Sequence, residues 1–160
     1  MRQLALVLIL LTGAGPARAS VVTTGNVDPG GAATQPDPWS VEGKLKVGVS
    51  ANATLVVDAG GVVANSETGY IGWGGSSTGV ATVSGPDSQW NNSSNLIVGF
   101  SGDGTLNITD GGAVSNDSYS AIGYLFGSTG GTTVSGSDSQ WNNIGSLYVG
   151  RSGDGSLNVE

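Results

Sequence analysis

The stretch Leu96-Ile-Val-Gly-Phe-Ser-Gly-Asp-Gly-Thr-Leu-Asn-Ile-Thr-Asp-Gly-Gly-Ala-Val-Ser-Asn116 holds three short apolar runs separated by glycine-rich turns. Along Thr105–Ile108, Leu106 and Ile108 fall on one face of an extended chain and Asn107 on the other, a period of two. Each run is too short for a helix, and no 3.6-residue apolar rhythm runs through the surrounding sequence. The segments therefore read as strands: Leu96–Val98, Thr105–Ile108 and Val114–Asn116, followed by Ala121–Ile122, Thr133–Ser135 and Gln140–Asn143.

Working outward, the same text recurs. Leu45-Lys-Val-Gly48, Leu96-Ile-Val-Gly99 and Leu147-Tyr-Val-Gly150 are separated by 51 residues at each step, as are Trp39, Trp90 and Trp141. Asp87-Ser-Gln-Trp-Asn-Asn92 returns as Asp138-Ser-Gln-Trp-Asn-Asn143. Inside each copy lies a weaker half-period. Val47, Ile71, Val98, Ile122 and Val149 are each followed by glycine at steps of 24, 27, 24 and 27 residues, and Asn65, Asn92, Asn116 and Asn143 keep the complementary rhythm. A fixed long period is the signature of stacked units rather than of one globular centre. Three short strands in about 25 residues match one coil of a parallel β-helix, each strand pairing with its copy roughly 4.8 Å above and below.

The expected fold is therefore all-β, a parallel β-helix (β-solenoid) of four to five coils over residues 39–160, with copies at 45–95 and 96–146 and a partial one at 147–160. Val47/Ile71/Val98/Ile122/Val149 form one inward column, and Trp90/Val114/Trp141 belong to another. The three extra residues of the longer half-period fit corners near Gly74–Val80 and Gly85–Ser88. An uncapped last coil exposes strand edges, so end-to-end self-association is expected.

Residues 20–38 lack the period, and Asn26-Val-Asp-Pro-Gly-Gly31 and Thr34-Gln-Pro-Asp-Pro38 read as a linker. Residues 1–19 have the layout of a secretory signal peptide: Arg2, the apolar run Leu4–Leu11, and the Ala17-Arg18-Ala19 cleavage site before Ser20. Eight apolar residues are too few to span a bilayer, which takes about 20.

The composition removes much chemistry. With 29 glycines and no Gly-X-Y period the chain is not collagen-like. Without Cys or His there is no Ser-His-Asp triad, no thiol nucleophile and no zinc site of the usual ligands. Past the leader, three basic residues (Lys44, Lys46, Arg151) stand against twelve acidic ones, a net charge of −9 that argues against nucleic acid as a partner.

Several residues invite functional readings. The asparagines at 65, 92, 116 and 143 are either a polar column along a sugar-binding groove or structural, holding left-handed corners and hydrogen-bonding to one another; the structural reading is preferred. Asp103 and Asp154 sit in Ser-Gly-Asp-Gly turns that lack the order and nine-residue period of calcium-binding Gly-Asp repeats. Asp87 and Asp138 are conceivable as an acid/base pair, yet they are copied with the repeat whereas a catalytic site is singular. Trp39, Trp90 and Trp141 form an aromatic sugar platform if exposed, but they stand in step with Val63 and Val114, which favours the core. No catalytic, cofactor-binding or metal-ligating residue is assigned.

The pattern L-x-V-G-x-S-G-x-G-x-L-x-I-x-x-G-G-x-V-x-N, followed by T-V-x-G-x-x-S-x-W-x-N, resembles a bacterial repeat shared by type V secretion (autotransporter-like) passengers and PEP-CTERM-sorted surface proteins. The resemblance covers Trp39 to Glu160. It implies a parallel β-helix outside a Gram-negative-type cell, with no enzymatic activity and no defined ligand. The chain contains neither a membrane barrel nor a sorting tail, so it is expected to be a fragment or truncated product. The expected function is a non-catalytic, secreted or cell-surface stalk or adhesin-like passenger, with surface glycans or matrix as its partners. The alternative is a β-helix protein that binds or degrades polysaccharide.

Overall fold

A computed structural model describes residues 18–160. The expected leader lies outside them, apart from Arg18 and Ala19. Among the described residues no helix occurs, and eighteen strands form. The first three are β1 (Ser20–Gly25), β2 (Val27–Asp28) and β3 (Ala33–Thr34). The remaining fifteen follow as five successive triplets. These are β4 (Trp39–Val41), β5 (Leu45–Val47) and β6 (Ala53–Asp58), then β7 (Val62–Asn65), β8 (Gly69–Ile71) and β9 (Thr78–Ser84). Next come β10 (Gln89–Asn92), β11 (Leu96–Val98) and β12 (Asp103–Thr109), then β13 (Ala113–Asn116), β14 (Ser120–Ile122) and β15 (Thr129–Ser135). The last triplet is β16 (Gln140–Asn143), β17 (Leu147–Val149) and β18 (Asp154–Val159).

Each triplet is one coil of a parallel β-solenoid. The first strands of the coils stack as one sheet, β4-β7-β10-β13-β16; the second strands as β5-β8-β11-β14-β17; and the third as β6-β9-β12-β15-β18. All these pairings are parallel and in register. At about 4.8 Å per coil, five coils make a rod segment of about 24 Å.

The register reproduces both expected columns: Val47, Ile71, Val98, Ile122 and Val149 face one another through the stack, as do Trp39, Val63, Trp90, Val114 and Trp141. Two further columns stand side by side in the third sheet, Leu55, Ala81, Leu106, Thr132 and Leu157, and Val57, Val83, Ile108, Val134 and Val159. Burial alternates along the long strands, as Asp103–Thr109 shows with Gly104, Leu106 and Ile108 inside. The extra residues of the longer half-period enter at two corners. Gly72–Ser77 is two residues longer than Gly99–Gly102, and Gly85–Ser88 is one longer than Asp110–Gly112.

The glycine after the Val/Ile column makes a tight corner. Gly99 has φ +73°, and a Cβ there would collide with the Thr129 carbonyl oxygen of the next coil. Both facts exclude other residues, because the left-handed region disfavours a Cβ and the stacked backbone leaves no room for one.

The segment 20–38 is not a linker. β1 pairs antiparallel with β6 over its whole length and with β3 on its other side, while β2 pairs antiparallel with β5. Val21 and Val27 are buried against the first coil, and Lys46 Nζ lies 2.8 Å from Asp28 Oδ2. Thr23, also buried, donates from Oγ1 to the Gly31 carbonyl at 2.6 Å and accepts from Gln35 Nε2 at 2.8 Å. The prolines and glycines build the turns of a cap whose strands run against the solenoid. The repeat rhythm is absent there because a reversed strand needs only alternation, which Val21 and Thr23 supply.

Candidate functional site

Trp90 is fully buried and Trp39 nearly so, while Trp141 packs against the core from the last coil. They form no exposed platform, as their register with valines implies. The indole must then find a partner inside, and it does so one coil earlier. Trp90 Nε1 donates to Asn65 Oδ1 at 2.8 Å, and Trp141 Nε1 donates to Asn116 Oδ1 at 3.1 Å.

The four asparagines end β7, β10, β13 and β16 and face inward rather than into a groove. Three of them donate to the carbonyl two residues ahead and so fasten the next corner: Asn65 to Glu67 at 2.6 Å, Asn116 to Ser118 at 2.8 Å and Asn143 to Gly145 at 2.6 Å. Asn-to-Asn bonding is confined to Asn116 and Asn143. None of the four occupies a left-handed corner; among non-glycine residues that conformation belongs to Ala59, Asp87, Asp110 and Asp138. The expected role was structural and the position is structural, but the means is Trp-to-Asn bonding rather than an Asn ladder.

Asp87 and Asp138 line an open notch of about 540 Å³ at one corner of the rod, together with Pro86, Asp110, Gly111 and Ser137. Asp110 was missed in the sequence because its corner is one residue shorter and it does not share the 51-residue spacing. All three aspartates have positive φ, between 55° and 64°, so they are corner residues first. Asp103 and Asp154 begin β12 and β18 and are exposed. Among the described residues no group of three or more acidic side chains converges to hold a metal ion.

A more organised surface feature lies on the outer face of the β5-β8-β11-β14-β17 sheet. The residues one past the column glycines, Trp73, Phe100, Tyr124 and Arg151, stack along the rod. Trp73 and Phe100 are 4.6 Å apart with planes 10° from parallel, and Phe100 and Tyr124 are 5.5 Å apart at 23°. Arg151 closes one end, 4.6 Å over Tyr124, and Lys46 the other, 5.4 Å from Trp73. Tyr70 packs edge-on against Trp73 at 4.5 Å and Phe100 at 5.2 Å, and Tyr119 against Tyr148 at 6.1 Å. The Tyr119 phenol is pushed up to about 12, chiefly by burial and then by the Tyr124 hydroxyl. Tyr124 is lowered, chiefly by its hydrogen bond with Tyr119, with Arg151 acting in the same direction.

This ladder also escaped the sequence reading, although its 24- and 27-residue steps are those of the glycine column beside it. The ring faces of Trp73, Phe100 and Tyr124 are turned toward one another along the axis. Sugar stacking needs a free ring face, whereas here the faces are used for ring–ring and cation–ring contact.

No protein-family model matches the chain, and no solved structure matches it. The chain is similar to the uncharacterized lipoprotein YdeK of Escherichia coli (strain K12), 32% identical over 123 residues. The match takes in 72% of this chain but only 9% of that protein, so the chain spans less than a tenth of the relative's length.

Proposed function

We propose that this chain is a segment of an exported, cell-surface β-solenoid whose work is to extend and display, not to catalyse. The observation that carries the reading is repetition: the inward columns and the aromatic ladder recur from coil to coil, and the Trp–Asn bond in every second coil. Lengthening a rod needs nothing else. A catalytic centre needs a singular convergence of groups, and the aspartates at the rod's corner are instead strung along separate coils.

Two further features support this assignment. One is the leader-like start of the sequence, with β1 beginning at Ser20, the residue expected after cleavage. The other is the likeness to a protein named as a lipoprotein, a name consistent with the cell envelope. Within these 160 residues no cysteine is available for a lipid. On this reading the resemblance to autotransporter-like and PEP-CTERM-associated repeats reflects a shared use as stalk or adhesin, with glycan or matrix as its contact.

The test is export of a tagged chain in a Gram-negative host. The expected result is cleavage before Ser20 and a β-rich product outside the inner membrane. Retention in the cytoplasm with an intact leader would overturn the proposal. Release of reducing ends or unsaturated products from a panel of glycans, abolished by Asp138→Asn, would establish the rival degrading function.

A further inference from the structure

β1 begins at Ser20, the residue expected to follow leader cleavage, and Ser20 pairs with Asp58, the last residue of β6. The Ser20 hydroxyl donates to the Asp58 carboxylate, both side chains lying on the outer side of the sheet. The Val21 carbonyl accepts from the Gln35 amide at 2.8 Å, on the side away from β6. Backbone groups of successive strand residues point to opposite sides, so the Ser20 nitrogen faces β6.

Carboxylates gather around this nitrogen. Asp58 comes from β6. Asp37 follows β3 and accepts at Oδ1 from the Val62 amide at 2.8 Å. Asp87 stands at the corner of the next coil, beside Gly60. β3 itself supplies only Ala33 and Thr34. No cation answers these groups: among the described residues the ion pair is Lys46 with Asp28, on β5 and β2. Arg18, two residues before Ser20, pairs with none of them.

We propose that leader removal completes the cap: the ammonium group freed at Ser20 pairs with the Asp58 carboxylate and holds β1 on β6. This rests on cleavage before Ser20, the export reading given above. Hydrolysis of the Ala19–Ser20 peptide bond consumes one water and leaves a carboxylate on Ala19 and a protonated amine on Ser20. A neutral amide with one donor becomes a cation with three, on the residue already bonded to Asp58. The nitrogen and hydroxyl of one serine are neighbours across a single carbon–carbon bond. The ammonium therefore lies within the range of about 4–6 Å over which opposite charges favour each other's charged forms. Asp37 and Asp87 act in the same sense. The first strand is thus tightened in the exported chain and held more loosely in the precursor.

An ordinary α-amino group ionises at about 7.7–8.0. Beside carboxylates in the folded chain it keeps its proton to higher pH than in the unfolded chain. Its stabilisation is therefore full below the ordinary value and is lost as pH rises through the raised one.

The experiment compares the purified chain starting at Ser20 with a free amine and the same chain acetylated there. Acetylation restores the neutral amide of the precursor. Urea unfolding at pH 6 is expected to give the free-amine form an unfolding constant about two- to fivefold lower. The gap should shrink in high salt and close by about pH 11. Asp58→Asn is expected to remove most of it, each variant being compared with its own acetylated form so that a general loss of stability cancels. Equal unfolding constants at pH 6, or a gap untouched by Asp58→Asn, would overturn the proposal.

Titration of the Ser20 amine in the parent chain, followed by NMR, reads the pair without any substitution. The expected midpoint lies above the ordinary value, and one at or below it would refute the pairing. Cleavage at another bond in the export test would instead overturn the leader reading, while these measurements on purified forms judge the ion pair by itself.

Discussion

Trp90 and Asn65 lie one coil apart and are joined through the core by a 2.8 Å hydrogen bond from indole to amide oxygen. Tryptophan and valine coils alternate, one of the differences between successive coils that makes the period 51 residues and not 25. Trp90 takes its partner from the coil before it. Trp141 and Asn116 repeat the arrangement at 3.1 Å. Replacing Asn65 with Ala leaves a buried N–H without a partner and opens the Ser66 corner, an expected loss of about 1–3 kcal/mol. Asn142→Ala, on the exposed face of β16, is expected to stay within about 0.5 kcal/mol of the parent. Urea unfolding followed by tryptophan emission separates the two, and equal effects would refute the assigned role.

Gly99 tests the corner. With φ at +73° and the Thr129 backbone stacked against it, Gly99→Ala adds both left-handed strain and a backbone collision. The expected cost is about 1–3 kcal/mol from the conformation alone, with the collision added to it. Gly131→Ala, whose added methyl would meet only the Ser156 hydroxyl at 3.6 Å, is expected to be far milder. Thermal unfolding of the two variants makes the comparison.

The cap at residues 20–38 is expected to be part of the folded unit. Val21→Asp places a carboxylate in a fully buried position of β1, where no cation is paired with it. Burying an unpaired charge is among the few single changes that destabilise strongly. Amide exchange is expected to quicken first in β6 and β5, the strands that β1 and β2 cover. In a solenoid each coil depends on its neighbours, so the loss should spread from that end. Uniform protection in the variant would return the segment to the status of a linker.

The tyrosine pair on the ladder has a pH signature. The Tyr119 phenol ionises near 12 in the folded chain against an ordinary value of 10. Across that window the folded state keeps a proton that the unfolded chain has released, so stability should fall as pH rises from 10 toward 12. Tyr124 is lowered and acts in the opposite sense just below its ordinary value. Tyrosinate absorbance should therefore rise first from Tyr124 and last from Tyr119. Tyr124→Phe is expected to remove the early step and to let Tyr119 ionise sooner, because it loses the hydroxyl that helps hold its proton.

The sequence alone determined the architecture. Two nested periods, alternation within each run and a glycine after every Val/Ile position admit only a stack of parallel coils. Each coil repeats the same inward choice, so the pattern is written several times over. The burial of the tryptophans followed from the same register, since Trp90 can only occupy the side on which Val63 and Val114 lie. What tertiary structure alone decided are relationships that periodicity does not encode. Antiparallel capping by β1 and β2 carries no repeat because it occurs once and runs backward. The partners of the Trp90 and Trp141 indoles are chosen across coils, by the reach of a side chain through the core. Asp110 joins Asp87 and Asp138 because corners of different length come to the same edge when stacked. The stacking of Trp73, Phe100 and Tyr124 depends on which way a residue leaves the left-handed glycine before it, a choice made by the three-dimensional corner.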